Sequence, residues 1–175
     1  MPFSVLLLTA AGSGRHISGH GGAKVSMPNP LSNEVILFFD KTDRDEVKRG
    51  LGLSKDRKCC DGIIFYSLDT RKVICLVEMK SGSLGEAEEQ IKSTYERLQV
   101  LLKKECESCN DYFKQITWKA YIHRSTGGPS RQAEECVEKL ESYGFSKGNA
   151  VVLGQSDITN FLRADSSKKV FKKKR

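Results

Sequence analysis

Residues 59–80 read Cys-Cys-Asp-Gly-Ile-Ile-Phe-Tyr-Ser-Leu-Asp-Thr-Arg-Lys-Val-Ile-Cys-Leu-Val-Glu-Met-Lys, and this stretch decides the fold class of the chain. Two apolar runs, rich in β-branched and aromatic residues, flank the polar residues 67–72. This pattern is typical of a β-hairpin whose loop is longer than the tightest two-residue type. We therefore expect one strand to end near Tyr66 and the next to run from Val73 to Lys80.

The position of the turn sets the register of this hairpin. A turn centred between Asp69 and Thr70 places Asp61 directly opposite Glu78, and directly opposed residues have Cβ atoms about 4.5–5.5 Å apart. Side chains alternate between the two faces of a strand, so Lys80 shares the face of Glu78. A slip of one residue would move every side chain to the other face. The sequence thus predicts two carboxylates and one ammonium group at the open end of the hairpin.

This group of charges has a chemical and a structural interpretation. Two opposed carboxylates repel each other, and a divalent cation such as Mg²⁺, which prefers hard oxygen ligands, removes that repulsion. A neighbouring lysine can bind a phosphate, position water or stabilise developing negative charge. Metal-assisted cleavage of a phosphodiester needs such a combination. The structural alternative is that Asp61, Glu78 and Lys80 form an ordinary solvated strand end.

The motif Cys-Asp-Gly-Ile-Ile-Phe followed by Val-Ile-Cys-Leu-Val-Glu-Met-Lys-Ser-Gly resembles the core of the PD-(D/E)XK nuclease superfamily, which has the restriction-endonuclease-like fold. In that family an Asp begins the second core strand and a Glu-x-Lys ends the third, and Asp61, Glu78 and Lys80 match these positions. Cys60 stands where many members have proline. The resemblance implies Mg²⁺ or Mn²⁺ as cofactor, with Asp61, Glu78 and the carbonyl of Met79 as ligands. It covers residues 55–100.

The resemblance also implies functional residues outside the hairpin. RecB-like members carry a Gln and a Tyr on the helix after the lysine; here Gln90 and Tyr95 lie on the predicted helix, five residues apart instead of four. The family often adds an acidic metal ligand from the preceding segment. Glu34 is the candidate, with Asp40 and Glu46 as rivals, and a capping or surface role is the alternative.

The composition is that of a protein with an ordinary apolar core and a basic surplus. The 175 residues carry a formal net charge of +7, and the length predicts one domain, residues 1–165, followed by a flexible basic tail, residues 166–175. The charge permits nucleic-acid binding, and the resemblance implies DNA as the favoured substrate, with RNA possible. No apolar run approaches the about 20 residues of a membrane span. We expect no membrane association and a cytoplasmic location. The candidate nucleic-acid-binding residues are Lys55, Arg57, Lys58, Lys92 and Tyr95.

The remaining patterns predict an α/β fold with a central mixed β-sheet flanked by helices. Residues 34–39 form the first core strand or a buried helix, and residues 3–11 form a strand or a short apolar helix. Helical spacing runs from residue 84 to about residue 105 and again from residue 130 to residue 143. Strands are predicted at residues 113–123 and 150–153 and a final helical turn at residues 158–163. Cys106 and Cys109 have the spacing of half a metal knuckle, with no second pair to match.

The predicted function is that of a metal-dependent nuclease, with Asp61, Glu78, Lys80 and Gln90 as catalytic residues and Asp61, Glu78, Met79 and Glu34 at the metal. Two alternatives stay open. One is a catalytically inactive nucleic-acid-binding or assembly module on the same fold. The other is a nucleotide-binding protein that uses the glycine-rich residues 12–22, although these lack a Gly-Lys-Ser/Thr sequence. A homodimer is compatible with both the nuclease and the inactive module on the same fold.

Overall fold

The computed structural model describes residues 16–19, 22–80, 83–105, 115–125 and 130–165. The predicted strand or short apolar helix at residues 3–11, the tail at residues 166–175 and the pair Cys106 and Cys109 lie outside the described residues. The strands are β1 (His16–Ser18), β2 (Lys24–Ser26), β3 (Glu34–Asp40), β4 (Gly62–Leu68), β5 (Arg71–Lys80), β6 (Ile116–Arg124) and β7 (Ala150–Leu153). The helices are α1 (Asp45–Gly50), α2 (Leu84–Glu105), α3 (Arg131–Ser142) and α4 (Thr159–Arg163).

Five of the strands form one mixed sheet in the order β3-β4-β5-β6-β7. The first three are antiparallel neighbours, whereas β6 runs parallel to β5 and β7 parallel to β6. The parallel pairs are connected through α2 and α3, because a parallel pair needs a long crossover. The prediction of a mixed α/β sheet with helices is confirmed, and residues 34–39 are a strand, not a helix.

The central hairpin has the predicted register but a tighter turn than predicted. Ile63 pairs with Leu76, and the ladder continues out to Leu68 and Arg71, so only Asp69 and Thr70 connect the strands. Asp69 takes a φ of +52°, a left-handed conformation that Asp tolerates better than most residues. The strands thus continue into the polar residues 67–72, which were predicted to form the loop. Polar side chains are compatible with the exposed end of the ladder.

The sheet has an apolar core on each face. Val47 of α1, Ile91 of α2 and Leu140 of α3 pack on one face. Ile17 of β1 and Leu162 of α4 pack on the other. Three helices therefore cover the first face, while a two-stranded ribbon and one short helix cover the second. Within the described residues, no helix has both the length and the apolar character needed to span a membrane.

The ribbon formed by β1 and β2 lies against the start of β4, where a glycine permits close contact. A Cβ atom on Gly62 would lie only 2.5 Å from a side-chain carbon of Ile17. Gly62 directly follows Asp61, so the ribbon packs beneath the open end of the hairpin. The backbone N–H of Ser18 donates to Asp40 Oδ1 at 2.8 Å and fixes the ribbon at this end of the sheet.

The end of α4 is held against the sheet by two cations, the partly exposed Arg71 and the buried Lys119. The guanidinium of Arg71 donates to the carbonyl oxygens of Leu162, Arg163 and Ala164 at 2.5–2.8 Å. The Nζ of Lys119, a fully buried residue, donates to the carbonyls of Phe161 and Ala164. Cations are favourable at a helix C-terminus because its last carbonyls carry partial negative charge. These bonds anchor the last described segment of the chain to the sheet.

Candidate active site

The two carboxylates predicted to face each other are joined by reciprocal hydrogen bonds to the main chain. The N–H of Asp61 donates to Glu78 Oε2 at 3.1 Å, and the N–H of Met79 donates to Asp61 Oδ2 at 2.7 Å. The antiparallel ladder ends one residue away, where Gly62 pairs with Val77. Each carboxylate is thus fixed by the backbone of the opposite strand. The predicted juxtaposition of Asp61 and Glu78 is present in the structure.

Lys80 completes the group as predicted and reaches one further acid. Its Nζ lies 3.1 Å from Glu78 Oε1 and 3.6 Å from Glu86 Oε2. The side chain of Glu78 is 1% exposed and that of Lys80 is 19% exposed, so this ion pair is screened far less than a surface pair. Glu86 lies in the first turn of α2, where a negative charge is favourable. Lys80 therefore contacts both the buried Glu78 and the more exposed Glu86 at the start of α2.

Burial and the second carboxylate keep Glu78 from ionising readily. Its pKa is raised from 4.5 to about 8, first because burial penalises the charged form and second because Asp61 is negative. The ammonium of Lys80 acts in the opposite direction without offsetting these two effects. A cation bound between the two carboxylates would remove this electrostatic strain.

The raised pKa of Glu78 predicts an unusual pH dependence of stability in the metal-free protein. The folded state holds a proton on Glu78 up to about pH 8, whereas the unfolded chain releases it near pH 4.5. The proton on Glu78 therefore stabilises the folded state fully below pH 4.5, and this stabilisation is lost as the pH rises through 8. Raising the pH from 5 to 8 should lower the free energy of unfolding by roughly 3 kcal/mol.

The measurement is urea unfolding in EDTA at several pH values, for wild type, Glu78→Gln and Glu135→Gln. Glu135 is an exposed helix residue that forms an ion pair with Arg131 four positions earlier, so its variant should keep the wild-type slope. Glu78→Gln should flatten the dependence. Equal slopes in wild type and Glu78→Gln would show that Glu78 ionises normally.

Gln90 lies beside the site and holds the segment that leads to Asp61. Its Nε2 donates to the carbonyl of Cys59 at 3.1 Å. One turn later, the hydroxyl of Thr94 accepts from the N–H of Cys60 at 3.0 Å and donates to the Gln90 carbonyl at 2.8 Å. The structure thus gives Gln90 a contact that orients the chain two residues before Asp61.

The structure does not bring Glu34 to this site. Glu34 begins β3 and pairs with Leu68, at the end of the sheet opposite Asp61. Six residues of strand separate the two positions, or about 20 Å. Its carboxylate instead accepts from Arg163, from the hydroxyl of Tyr66 and from the N–H of Leu31. The prediction of Glu34 as a metal ligand is wrong, because it assumed that an acid near the first strand lies at the metal end.

The two rivals of Glu34 are not in the group either. Asp40 lies at the correct end of the sheet, but it pairs with Gly62 and shares the face of Val77, which packs in the core opposite to α2. Glu46 belongs to α1, is exposed and lies 4.0 Å from Arg49. Besides Glu78, the acid that approaches Lys80 is Glu86. The sequence analysis did not predict this residue, although its position in the first turn of the helix that follows β5 could have indicated it.

Three of the predicted nucleic-acid contacts share one surface hollow. Arg57, Lys58 and Lys92 line it together with Asp56, Glu89 and Glu96. Lys58 Nζ lies 3.0 Å from Glu89, and Lys92 Nζ lies 4.3 Å from the ring centre of Tyr143. Lys55 is outside this hollow and pairs with Asp45 at 2.9 Å. The hollow carries both signs of charge, so it is not a purely basic surface.

Tyr95 packs in the apolar core and does not face this hollow. Its ring centre lies 5.0 Å from that of Trp118 and 4.7 Å from that of Phe145. Five residues correspond to about 140° around a helix, beyond one full turn, so Tyr95 points away from the side of Gln90. The structure gives the partly buried Tyr95 a packing role, and its contact with nucleic acid stays a prediction.

The site offers two carboxylates to a metal. Within the described residues, no group of three or more His, Cys, Asp or Glu side chains is placed to hold a metal ion. Mg²⁺ commonly uses one or two carboxylates and keeps several waters, so a pair is a sufficient donor set. Burial and the negative charge of Asp61 together raise the pKa of Glu78, and a cation at this position would offset both effects. The Met79 carbonyl as a third ligand stays a prediction.

Comparison with family models, with curated proteins and with solved structures found no match to this chain.

Proposed function

We propose that the chain is a metal-dependent nuclease of the PD-(D/E)XK superfamily, with the restriction-endonuclease-like fold and nucleic acid, DNA first, as substrate. One observation carries the proposal. The carboxylate of Asp61 accepts from the N–H of Met79, that of Glu78 accepts from the N–H of Asp61, and Lys80 Nζ lies 3.1 Å from Glu78. This is the spatial arrangement that the Asp and Glu-x-Lys resemblance requires.

The arrangement of the sheet adds support. Asp61 precedes β4 and Glu78 and Lys80 end β5, which are adjacent strands in the middle of a mixed five-stranded sheet. β5, β6 and β7 all end at this edge of the sheet. Ligand sites in α/β sheets are commonly found outside the carboxyl ends of the strands. A substrate can therefore approach Lys80 from the side of the sheet edge where α2 begins.

Each residue then has a defined task. Asp61 and Glu78, with the Met79 carbonyl, would hold Mg²⁺ or Mn²⁺. The bound metal supplies Lewis acidity toward the phosphate oxygens and lowers the pKa of bound water. Lys80 is placed to orient the attacking water and to stabilise the charge that develops on the phosphate. The low exposure of Glu78 strengthens these electrostatic effects, because solvent screens them weakly.

The test compares wild type and Lys80→Ala on single-stranded DNA, duplex DNA, branched DNA and RNA, each with Mg²⁺, Mn²⁺ or EDTA. We expect cleavage that needs the metal and that Lys80→Ala lowers by at least about a hundredfold, while circular dichroism shows an unchanged fold. Cleavage of the same rate in Lys80→Ala would place the active site elsewhere. Binding without cleavage of any substrate would indicate the inactive module instead.

A further inference from the structure

Arg124 is a second cation on the sheet beside Lys80. It ends β6, and the parallel register pairs it with Lys80 at the end of β5. Neighbouring strands lie about 4.8 Å apart. Arg124 shares the face of Ile122, and Lys80 the face of Leu76, and both of these apolar residues pack in the core beneath α2 and α3. The two cations are thus side by side, on the same face and at the same end of the sheet.

The guanidinium of Arg124 has few partners among the residues that the structure describes. Its Nη1 donates to Ser130 Oγ at 3.3 Å, whereas its buried Nε has no hydrogen-bond partner among those residues. None of the ion pairs among the described residues includes Arg124. A guanidinium stays charged at any relevant pH, and buried donors without acceptors are rare and unfavourable. Arg124 also lines the groove between α3 and β7, so an anion that enters this groove can reach the side chain.

The neighbourhood of Arg124 favours a single anionic group over an extended charged chain. Ser130 caps the twelve-residue helix α3 through the N–H of Ala133, so the positive end of that helix lies next to the guanidinium. Farther along, the groove between α3 and β7 is lined by Glu134, Glu138 and Glu141. These carboxylates repel phosphates, so only the end of the groove at Arg124 is suited to one.

We infer that Arg124 binds a backbone phosphate of the nucleic-acid substrate, next to the phosphate that is cleaved at Lys80. The inference rests on the proposed function and extends it with a second phosphate site. The planar guanidinium can donate two parallel hydrogen bonds to a phosphate. Lys80 contacts Glu78, whereas Arg124 lies on the next strand of the sheet, so Arg124 binds the neighbouring phosphate and positions the nucleic-acid strand.

The first experiment measures binding in a Lys80→Ala background with Mg²⁺, so that cleavage does not interfere. Arg124→Ala should weaken oligonucleotide binding about tenfold and reduce the salt slope of log K by about one. Arg124→Lys should keep the salt slope but not the full affinity. The matched control is Arg131→Ala, because the Arg131 side chain is 91% exposed and forms an ion pair with Glu135 on the same helix. Unchanged affinity in Arg124→Ala would overturn the inference.

The second experiment locates the contact with oligonucleotides that carry one neutral methylphosphonate at each position in turn. With Arg124 present, one position should weaken binding strongly; with Arg124→Ala, that same position should weaken it much less, and with Arg124→Lys, which keeps the charge, it should still weaken binding. Equal losses at every position in all variants would contradict the assignment and indicate a general structural effect. A position-specific contact without cleavage by wild type would overturn the nuclease proposal alone, while cleavage without any Arg124 effect would overturn this inference alone.

Discussion

Asp61→Asn should lower the rate of Mg²⁺-dependent cleavage by about a hundredfold or more while leaving the fold intact. The amide keeps the size of the carboxylate, and its oxygen can still accept from the N–H of Met79, which Asp61 Oδ2 accepts at 2.7 Å. The variant removes one of the two negative charges that would hold the metal. It also removes the negative neighbour of Glu78, whose pKa should fall from about 8 toward its ordinary range.

The measurement is the cleavage rate as a function of Mg²⁺ and Mn²⁺ concentration, with Asp69→Asn as the matched control. Asp69 is an exposed acid at the turn of the same hairpin, at the end of the sheet far from Asp61. Asn tolerates the positive φ of Asp69. Asp69→Asn should therefore cleave like wild type, and Asp61→Asn should need much more metal for any remaining activity. An unaltered metal dependence in Asp61→Asn would remove Asp61 from the metal site.

The central hairpin was predictable because its strands and its turn both have local signals. The two continuous apolar runs indicate the strands, and the position of Asp69 and Thr70 between them sets the pairing, so Ile63 lies opposite Leu76 as predicted. Once that register holds, Asp61 and Glu78 must meet, because they continue the same ladder by one pair. This part of the candidate site followed from the local sequence alone.

Contacts between distant segments were not predictable in this way. The ribbon β1–β2 has strands of three residues each, too short for periodicity to show. Its position depends on the fit of Ile17 against Gly62. The pairing of Glu34 with Arg163 joins residues 129 positions apart, and no local pattern encodes it. Glu34 was therefore interpreted as an acid of the site, although its partner lies at the other end of the sheet.

The burial of the Tyr95 and Glu78 side chains was also not predictable from the local sequence. Tyr95 belongs to the apolar stripe of α2, and the resemblance to a Gln–Tyr pair suggested a different role for it. The structure places it between Trp118 and Phe145. The depth of Glu78 was equally hidden, because a strand end suggests solvent, whereas α2 and the adjacent strand leave its side chain only 1% exposed.

Glu34→Ala should destabilise the protein by about 3 kcal/mol without lowering the cleavage rate of each folded molecule. The Glu34 side chain is fully buried and accepts from Arg163 Nε at 2.7 Å and Nη2 at 2.8 Å. Tyr66 donates to the same carboxylate at 2.8 Å. Removal of one partner of a buried pair leaves the other charge uncompensated, which typically costs about 3–5 kcal/mol. Arg163 is 31% exposed, so the lower end of that range applies.

The pH dependence of this loss distinguishes it from an ordinary packing defect. The Arg163 guanidinium and the other donors lower the pKa of Glu34 from 4.5 to about 2. Its contribution is therefore present above pH 4.5 and disappears as the pH falls through 2. Urea unfolding should show a large difference between wild type and Glu34→Ala at pH 6 and a smaller one near pH 2.5. Glu135→Ala, which breaks the exposed pair with Arg131, should change stability by no more than about 0.5 kcal/mol. If Glu34→Ala instead kept full stability and lost metal-dependent cleavage, Glu34 would act at the metal after all, and the placement of β3 relative to the hairpin would be wrong.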